Sequence, residues 1–433
     1  MYKHSFMETD ANGHLIVGGC DMVSVAEEYQ TPIYVMDEGR IRSNMRAYKN
    51  SIDEFYDGNG LCLYASKAFS AVCMYKIAAE EGLGVDVVSG GELYTAIKAG
   101  FDTSKIVFHG SNKSTPELEM AIESGVGRII VDGEGEIERI DSISKQKGKI
   151  TNIMIRVKPG VDAHTHEFIS TGHIDCKFGF SIENGEAFEF IKKASAFENV
   201  CIKGLHCHIG SQIFLFEPFK CAAEIMMNFY AELNEKLGLS FDELNLGGGF
   251  GIKYVENDTP VSYGGYIGAV SDTIKNICAQ KSLKVPFIYM EPGRSIVGDA
   301  GITLYTVGTI KDIPGVRKYV SVDGGMADNP RYILYGAQYD AVFANRAHDL
   351  PTETVTVCGK CCESGDIIIK DGYLPKAESG DILAVMSTGA YNYSMASNYN
   401  RIPRPPVVMV DGGKSRLVVK RESYEDITRL DVE

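Results

Sequence analysis

The chain has 433 residues, 44% of them hydrophobic and 23% charged, a composition typical of a globular protein with a large core and more than one domain. The formal net charge of −15 argues against nucleic acid and anionic membranes as partners. The N-terminus lacks the apolar segment of a secretory signal, no apolar run is long enough to span a bilayer, and the 11 cysteines lack the spacing of a disulfide framework. We therefore expect a soluble, cytoplasmic protein.

Short apolar runs alternate with segments of helical period from residue 38 to about residue 300. The strand candidates are LCLYASK (61–67), GVDVVS (84–89), KIVFHG (105–110), RIIVDG (128–133), NIMIRVKPG (152–160), CIKGLHCHIG (201–210), ELNLGGG (243–249) and PFIYMEPG (286–293). The helix candidates between them include 92–99, 116–124 and 218–237. Eight strands with intervening helices predict a TIM-type (β/α)₈ barrel over residues 38–300.

The pattern changes after residue 300, where strand-like runs are separated by turn residues with few helical stretches. These runs are ITLYTVGTI, KYVSVDGG, TVTVCGK, DIIIK, DILAVMS, PVVMVDGG and SRLVVK. They predict a C-terminal all-β domain, a β-sandwich or β-barrel, over residues 301–433. The segments LIVGG and TPIYVMD favour adding residues 1–37 to it.

Unusual side chains fall where the predicted barrel strands end, which is where barrel enzymes carry their active sites. Lys67 ends the first strand, His109 the third, His206 and His208 the sixth, and Glu291 the eighth. A lysine at the end of an apolar strand either extends into solvent or reacts as an amine. The clustering of these groups at one end of the barrel favours a reactive Lys67 that attacks a carbonyl to form a Schiff base.

The triple glycine of LGGGFG follows the seventh strand. It does not fit G-x-G-x-x-G, and no G-x-x-x-x-G-K-[ST] occurs, so neither a Rossmann nor a P-loop nucleotide site is indicated. Glycines after a late barrel strand can instead expose backbone N–H groups to the phosphate of a small cofactor. A tight turn without a ligand is the alternative.

Two further motifs raise a metal hypothesis. The pairs His164/His166 and His206/His208 each offer too few ligands for a closed zinc site, so we expect no metal. Cys358 and Cys361 form a C-x-x-C, but without a second pair or a thioredoxin-like context we expect neither a redox nor a metal site there.

A Schiff-base lysine, a phosphate cradle, a histidine ring and a carboxylate on one barrel rim together indicate pyridoxal phosphate. Glu291 then has a role, because a carboxylate against the pyridine nitrogen keeps that nitrogen protonated. Arg294, three residues further on, could hold the phosphate or a substrate carboxylate.

At this level of detail the sequence resembles the diaminopimelate decarboxylases, a family of pyridoxal-phosphate enzymes with an alanine-racemase-like barrel. The resemblance runs from about residue 32 to residue 406, in the family's order. It is carried by YASKAF, VDVVSGGEL, FHGSNKS, RVKPGVDAHTHEFISTGHIDCKFGF, GLHCHIGSQI, LNLGGGFGI, EPGRSIV, SVDGGMADNPRYILYGA, CESGD and GAYNYSMASNYNRIPRP.

The resemblance implies a role for each matching residue. Lys67 would bind pyridoxal 5'-phosphate covalently, His208 would stack on its ring, and Glu291 would meet the pyridine nitrogen. Cys362 would be the proton donor and Glu363 would bind the distal ammonium of the substrate. The other implied cofactor ligands are Ser211, Gly249, Pro292, Gly293, Arg294 and Tyr391. The other implied substrate ligands are Arg294, Arg331, Tyr335 and Tyr391, of which Arg294, Arg331 and Tyr335 would receive the distal carboxylate.

The resemblance also implies the reaction and the assembly. Meso-2,6-diaminopimelate would lose the carboxylate at its D centre to give L-lysine and carbon dioxide, the last step of lysine biosynthesis. The CESGD loop would enter the active site of a neighbouring subunit, in a head-to-tail homodimer with shared sites. Cys361 stands where many relatives carry histidine, which leaves the surroundings of Cys362 open.

Four alternatives remain at this stage. A related decarboxylase acting on ornithine, lysine or arginine would have no distal carboxylate for Arg331 to bind. An alanine racemase would place an arginine, not Glu291, at the pyridine nitrogen. A carrier protein without catalysis would lack the β-domain and the CESGD loop, and a cofactor-free aldolase using Lys67 would not need LGGGFG.

Overall fold

The computed structural model describes residues 3–161 and 176–432. The chain forms two compact units. The sheet unit comprises residues 1–43, 252–259 and 294–433. The barrel unit comprises residues 44–251 and 260–293. The predicted histidine pair His164/His166 lies outside the described residues.

The barrel unit contains the predicted closed barrel of eight parallel strands. Closure is completed between the first and last strands, where Ile288 aligns with Gly60 and Met290 with Cys62. A small extra strand, Phe180–Ser181, extends the fifth strand's edge. The barrel strands are Gly60–Ala65, Gly84–Val87, Ile106–Phe108, Arg128–Val131, Thr151–Lys158, Val200–His206, Glu243–Asn245 and Phe287–Met290.

The barrel strands end earlier than the sequence pattern predicted. Lys67, His109, His208 and Glu291 all lie beyond the last paired residue of their strands. His109 and Glu291 stay buried, and their N–H groups still donate to Val87 O and Gly247 O, whereas Lys67 is exposed. The side chains of these four residues therefore project from loops at the carboxyl ends of the strands.

Helices separate the barrel strands as predicted. Thr115–Ser124 shows how local sequence sets their bounds: a capping box between Ser114 and Glu117 starts it, and Gly125 ends it in the left-handed conformation with φ of 73°. The helices of the barrel unit are Val72–Glu80, Gly90–Lys98, Thr115–Ser124, Glu134–Lys147, Glu186–Ala194, Glu217–Leu237 and Tyr263–Lys281, with Glu38–Phe55 ahead of the first strand.

Apolar side chains from five barrel strands form a buried cluster. Leu63, Val107, Ile130, Met154 and Tyr289 are its buried members. Each such side chain contributes about 1.5–3 kcal/mol when fully removed from water. This apolar cluster fixes the strands that carry the polar groups described below.

The sheet unit is built on a nine-stranded mixed sheet. The strand predicted from TPIYVMD, Ile33–Asp37, lies between Gly301–Ile313 and Val407–Asp411, and all five of its residues are buried. The other strands of this sheet are Ile367–Leu374, Glu353–Cys358, Arg317–Val322, Ala341–Phe343, Ile382–Val385 and Lys414–Val419. The short strands Glu8–Thr9, Leu15–Val17 and Cys20–Asp21 form a separate sheet. The α-helices are Met22–Tyr29, Arg294–Val297, Arg331–Tyr335, Asn392–Met395 and Tyr424–Thr428.

One pairing in the sheet unit sets the position of two functional loops. Arg317–Val322 and Glu353–Cys358 are parallel neighbours, with Tyr319 opposite Thr356 and Ser321 opposite Cys358. Parallel neighbours end at the same edge of a sheet. The loop that leads to Arg331 and the loop that carries Cys362 therefore start side by side.

A buried ion pair in the barrel unit supports the loop that begins with His109. The Lys113 side chain is 1% exposed, and its Nζ donates to Glu136 Oε1 at 2.6 Å, Ile130 O at 2.7 Å and Gly110 O at 2.8 Å. We expect Lys113→Met to lower the free energy of unfolding by about 3–5 kcal/mol, because Glu136 would remain buried without its cation. Denaturant unfolding would measure the loss.

Lys147→Met is the matched control, because Lys147 pairs with Glu123 at the surface. An unfolding midpoint for Lys113→Met equal to that of this control would contradict the expectation.

Candidate active site

Lys67 follows the first barrel strand directly. The strand Gly60–Ala65 is continued by a 3₁₀ turn, Ser66–Ala68, in which Lys67 is exposed while Ser66 and Ala68 are buried. A hydrogen bond fixes the start of this turn to the segment after the last strand, since Ala65 N donates to Pro292 O at 3.1 Å. Gly293 leaves room for this contact, since a Cβ there would lie 3.0 Å from Ala65 O. Lys67 is thus an accessible amine on a fixed backbone.

The carboxylate of Glu291 is the centre of a buried polar cluster. Glu291 is 7% exposed, and its Oε1 accepts hydrogen bonds from His109 Nε2 at 2.7 Å and Asn245 Nδ2 at 2.6 Å. His206 Nε2 lies 3.3 Å from Oε2. Burial alone would raise the pKa of Glu291, but His109 and His206 outweigh it and hold the pKa well below its usual range. Glu291 is therefore ionised at neutral pH.

A second carboxylate lies beside this cluster. Asp86, in the second strand, has an oxygen 3.9 Å from His109 Nε2. Burial raises the pKa of Asp86 to about 6, opposed by His109 and Lys67 and reinforced by Glu291. Two carboxylates whose pKa values are driven apart in one place are typical of a catalytic site.

The ring of His208 is held in one orientation. Its Nδ1 accepts a hydrogen bond from Gly248 N at 3.3 Å. Burial lowers the pKa of His208 well below its usual value, and the positive charges of Lys67 and Arg156 lower it further. His208 is therefore a neutral imidazole whose electrostatic partners include Lys67.

The predicted glycine cradle is a place of close backbone contact. A Cβ at Gly248 would lie 2.1 Å from Glu291 O, and one at Gly249 would lie 2.5 Å from Gly210 O. Gly249 also has a φ of +115°, which disfavours other residues. Ser211 directly follows Gly210. The segment is glycine backbone packed against the backbone of Glu291 and Gly210, as in a tight turn, and its role as a phosphate cradle stays a prediction.

The predicted arginines and tyrosines of the sheet unit also come together. The Tyr391 ring has the guanidinium of Arg294 4.9 Å from its centroid and that of Arg331 5.1 Å from it. Arg331 lies 5.2 Å from the Tyr335 ring. Arg294 Nη1 donates to Tyr254 Oη at 2.6 Å. Both arginines are less than 10% exposed, at 6% for Arg294 and 8% for Arg331, so the cluster presents two partly desolvated cations.

Cys362 and Glu363 lie on an exposed loop of the sheet unit. Cys362 N donates to Asn400 Oδ1 at 3.0 Å, and Glu363 Oε1 accepts from Gly365 N at 3.2 Å. In the part of the chain that the structure describes, Glu363 is exposed and has no ion-pair partner, whereas Arg331 lies in the tyrosine cluster. The Glu363 carboxylate is therefore available to a ligand.

Three groups of the barrel unit could also hold a metal ion. The ligand atoms of His109, His206 and Glu291 lie within 4.8 Å of one another. Two histidines and a carboxylate suit several transition metals. His109 and Glu291 already share a 2.7 Å hydrogen bond, however, which a metal ion would have to break. All 11 cysteines, Cys358 and Cys361 included, are free thiols.

Sequence reasoning missed three residues of these clusters. Asp86 and Asn245 were absent from the predicted site, although Asp86 is a polar residue in an otherwise apolar barrel strand and Asn245 is a fully buried polar residue at the end of one. That position was the available signal, because a buried polar side chain needs a partner. Tyr254, the partner of Arg294, lies in an irregular segment that carried no comparable signal.

The comparisons with known proteins agree with this geometry. Residues 38–298 match the family described as pyridoxal-dependent decarboxylase, pyridoxal binding domain. The chain is 52% identical to a diaminopimelate decarboxylase of Bacillus methanolicus, over 98% of each chain. It is 48% identical to that of Bacillus subtilis, over 100% of this chain and 98% of the relative.

Solved structures give the same result. The crystal structure of diaminopimelate decarboxylase from M. jannaschii in co-complex with L-lysine superimposes with a TM-score of 0.93 at 35% identity, covering 100% of this chain and 99% of that one. The high identity extends over the whole length of the relatives, so it includes both units. The chain therefore belongs to the diaminopimelate decarboxylase family of pyridoxal-dependent decarboxylases.

Proposed function

We propose that the protein decarboxylates meso-2,6-diaminopimelate to L-lysine and carbon dioxide, the last step of lysine biosynthesis. The observation that carries the proposal is the ionised, buried Glu291 beside Lys67 and His208 at the carboxyl ends of the barrel strands. A carboxylate at this place suits a protonated pyridine nitrogen, whereas a racemase of the same barrel class would place an arginine there.

The polar groups at the strand ends of the barrel unit fit pyridoxal 5'-phosphate. Lys67 Nζ would hold the cofactor covalently, the neutral ring of His208 would stack on it, and Glu291 would keep a proton on the pyridine nitrogen. The further cofactor ligands in the proposal are Ser211, Gly249, Pro292, Gly293, Arg294 and Tyr391. When bound, the cofactor supplies an electron sink for the pair of electrons that remains on Cα as carbon dioxide leaves.

The residues of the chain account for the remaining work. Lys67 would supply the amine that holds the cofactor when no substrate is bound. His109 and Asn245 donate to Glu291 and His206 lies 3.3 Å from it, so Glu291 stays ionised and would favour a protonated pyridine nitrogen. Cys362 delivers the proton to Cα from its thiol. Preorganised polar groups of this kind do not have to reorient during the reaction.

The substrate preference would come from the sheet unit. Arg294, Arg331 and Tyr335 are proposed to receive the distal carboxylate, with Tyr391 between the two guanidiniums, and Glu363 the distal ammonium. A site that pairs both groups rejects a substrate lacking one of them, because its own charges are then left unpaired. A related decarboxylase acting on ornithine, lysine or arginine is the alternative. Its substrates have no distal carboxylate for Arg331 to bind.

We further propose a head-to-tail homodimer in which residues 1–37 and 301–433 complete the active site and the dimer interface, and residues 38–300 bind the cofactor. The CESGD loop would enter the neighbouring subunit's site, which fits the exposure of Cys362 and Glu363. The 11 free thiols fit the reducing cytoplasm as the place of action. No helix in the described ranges combines the length and apolar character of a membrane span.

The direct test is carbon dioxide release by the purified protein with added pyridoxal phosphate. Meso-diaminopimelate, L-ornithine, L-lysine and L-arginine would be compared in parallel. We expect release from meso-diaminopimelate alone, with L-lysine as the product. Release from one of the monocarboxylic amino acids instead would overturn the substrate assignment while keeping the cofactor.

Lys67→Ala tests the covalent attachment of the cofactor. We expect the variant to lose pyridoxal phosphate on gel filtration and to make no lysine, because no other amine replaces Nζ. The visible absorption of the bound cofactor measures retention. Lys76→Ala, an exposed lysine of the same unit, should leave both properties unchanged. Sustained lysine production by Lys67→Ala would refute the assigned role.

Glu363→Gln tests the recognition of the distal ammonium. Losing a charge-assisted hydrogen bond of about 1.5–3 kcal/mol should raise KM for meso-diaminopimelate at least about tenfold. Steady-state kinetics would be compared with Glu378→Gln, an exposed glutamate of the same unit. If KM of Glu363→Gln matches that of the control, the contact with the ammonium does not exist.

A further inference from the structure

The buried carboxylate of Asp366 joins two loops of the sheet unit. Asp366 is 3% exposed. Its Oδ1 accepts a hydrogen bond from Met326 N at 2.6 Å, and its Oδ2 accepts one from Cys361 N at 2.7 Å. Met326 belongs to the loop that leads to Arg331, whereas Cys361 directly precedes Cys362. One side chain thus holds the backbones of both loops.

The two loop backbones also contact each other directly. Lys360 N donates to Gly324 O at 3.0 Å. A Cβ at Gly359 would lie 2.4 Å from Gly325 Cα and 2.4 Å from Asp366 Oδ2. Any side chain at position 359 would therefore push the loops apart. The contact depends on a glycine as well as on the carboxylate.

Asp366 has the chemistry of a backbone anchor and not of an ion pair. In residues 3–161 and 176–432 it has no cationic partner, and both of its oxygens accept from backbone N–H groups. An amide in its place would offer one oxygen and one NH₂, which would face an N–H donor. The Cys361 thiol also meets this carboxylate, and burial together with that contact raises the pKa of Cys361 to about 12.

We propose that Asp366 is a positioning residue that fixes the segment Cys361–Glu363 against the loop leading to Arg331. Its importance for turnover rests on the proposed function, in which Cys362 delivers a proton and Glu363 binds the distal ammonium. Asp366 itself would touch neither substrate nor cofactor. Its effect would be to give these two side chains one position and not several.

Hydrogen exchange of the holoenzyme tests the anchor without reference to activity. In Asp366→Asn at least one of the amides of Met326 and Cys361 should exchange at least about tenfold faster than in the wild type, because one charge-assisted hydrogen bond of about 1.5–3 kcal/mol is lost. Asp312→Asn, an aspartate at the end of strand Gly301–Ile313, is the control. Unchanged exchange at both amides would overturn the proposal.

Kinetics separate positioning from a general loss of stability. If Asp366 positions Glu363, adding Glu363→Gln to Asp366→Asn should raise KM by much less than it does in the wild type. Effects on KM that simply multiply would overturn the proposal. Gly359→Ala gives a second variant should Asp366→Asn fail to fold, with the same exchange and kinetic expectations. If the wild type has no decarboxylase activity, the proposed function is wrong. Hydrogen exchange at Met326 and Cys361 would still test whether Asp366 holds the two loops.

Discussion

The ionised carboxylate of Glu291 is the constraint on which the barrel unit depends. A buried carboxylate without partners is destabilising by several kcal/mol, so this one needs donors from around it. His109 and Asn245 supply them from the ends of the third and seventh strands, and His206 Nε2 at the end of the sixth lies 3.3 Å from Oε2. The donors meet one carboxylate only when the barrel is closed in the observed register. Closure of the barrel and formation of the site are therefore one requirement.

The same low-polarity surroundings set the protonation states of the site. Burial lowers the pKa of His208 and raises that of Asp86 to about 6, whereas hydrogen bonds keep Glu291 ionised. At neutral pH the cluster therefore holds the neutral ring of His208 close to the ionised carboxylate of Glu291. Apolar strand residues such as Val107 and Met154 maintain that environment. The apolar packing that stabilises the barrel therefore also sets the pKa values of the site residues.

Sequence reasoning predicted the barrel because strand and helix periods alternate locally, and it predicted Lys67 and Glu291 because charges rarely end apolar strands. It placed these residues within the strands, since an apolar run does not reveal where the backbone leaves the ladder. Asp86 and Asn245 were missed because an isolated polar residue in a strand has no periodic signal. Their role depends on strands that are distant in sequence.

The sheet unit shows what motif reading cannot supply. The motifs containing Arg331 and Cys362 are separate in the sequence, and their residues do not predict that the two loops are neighbours in the fold. They adjoin because Arg317–Val322 and Glu353–Cys358 pair in parallel, so their loops leave the sheet at one edge. Non-local pairing of this kind is fixed by the whole sheet and not by local propensity. Asp366, the aspartate of CESGD, then accepts hydrogen bonds from the backbones of both loops, so the two motifs are held in one fixed arrangement.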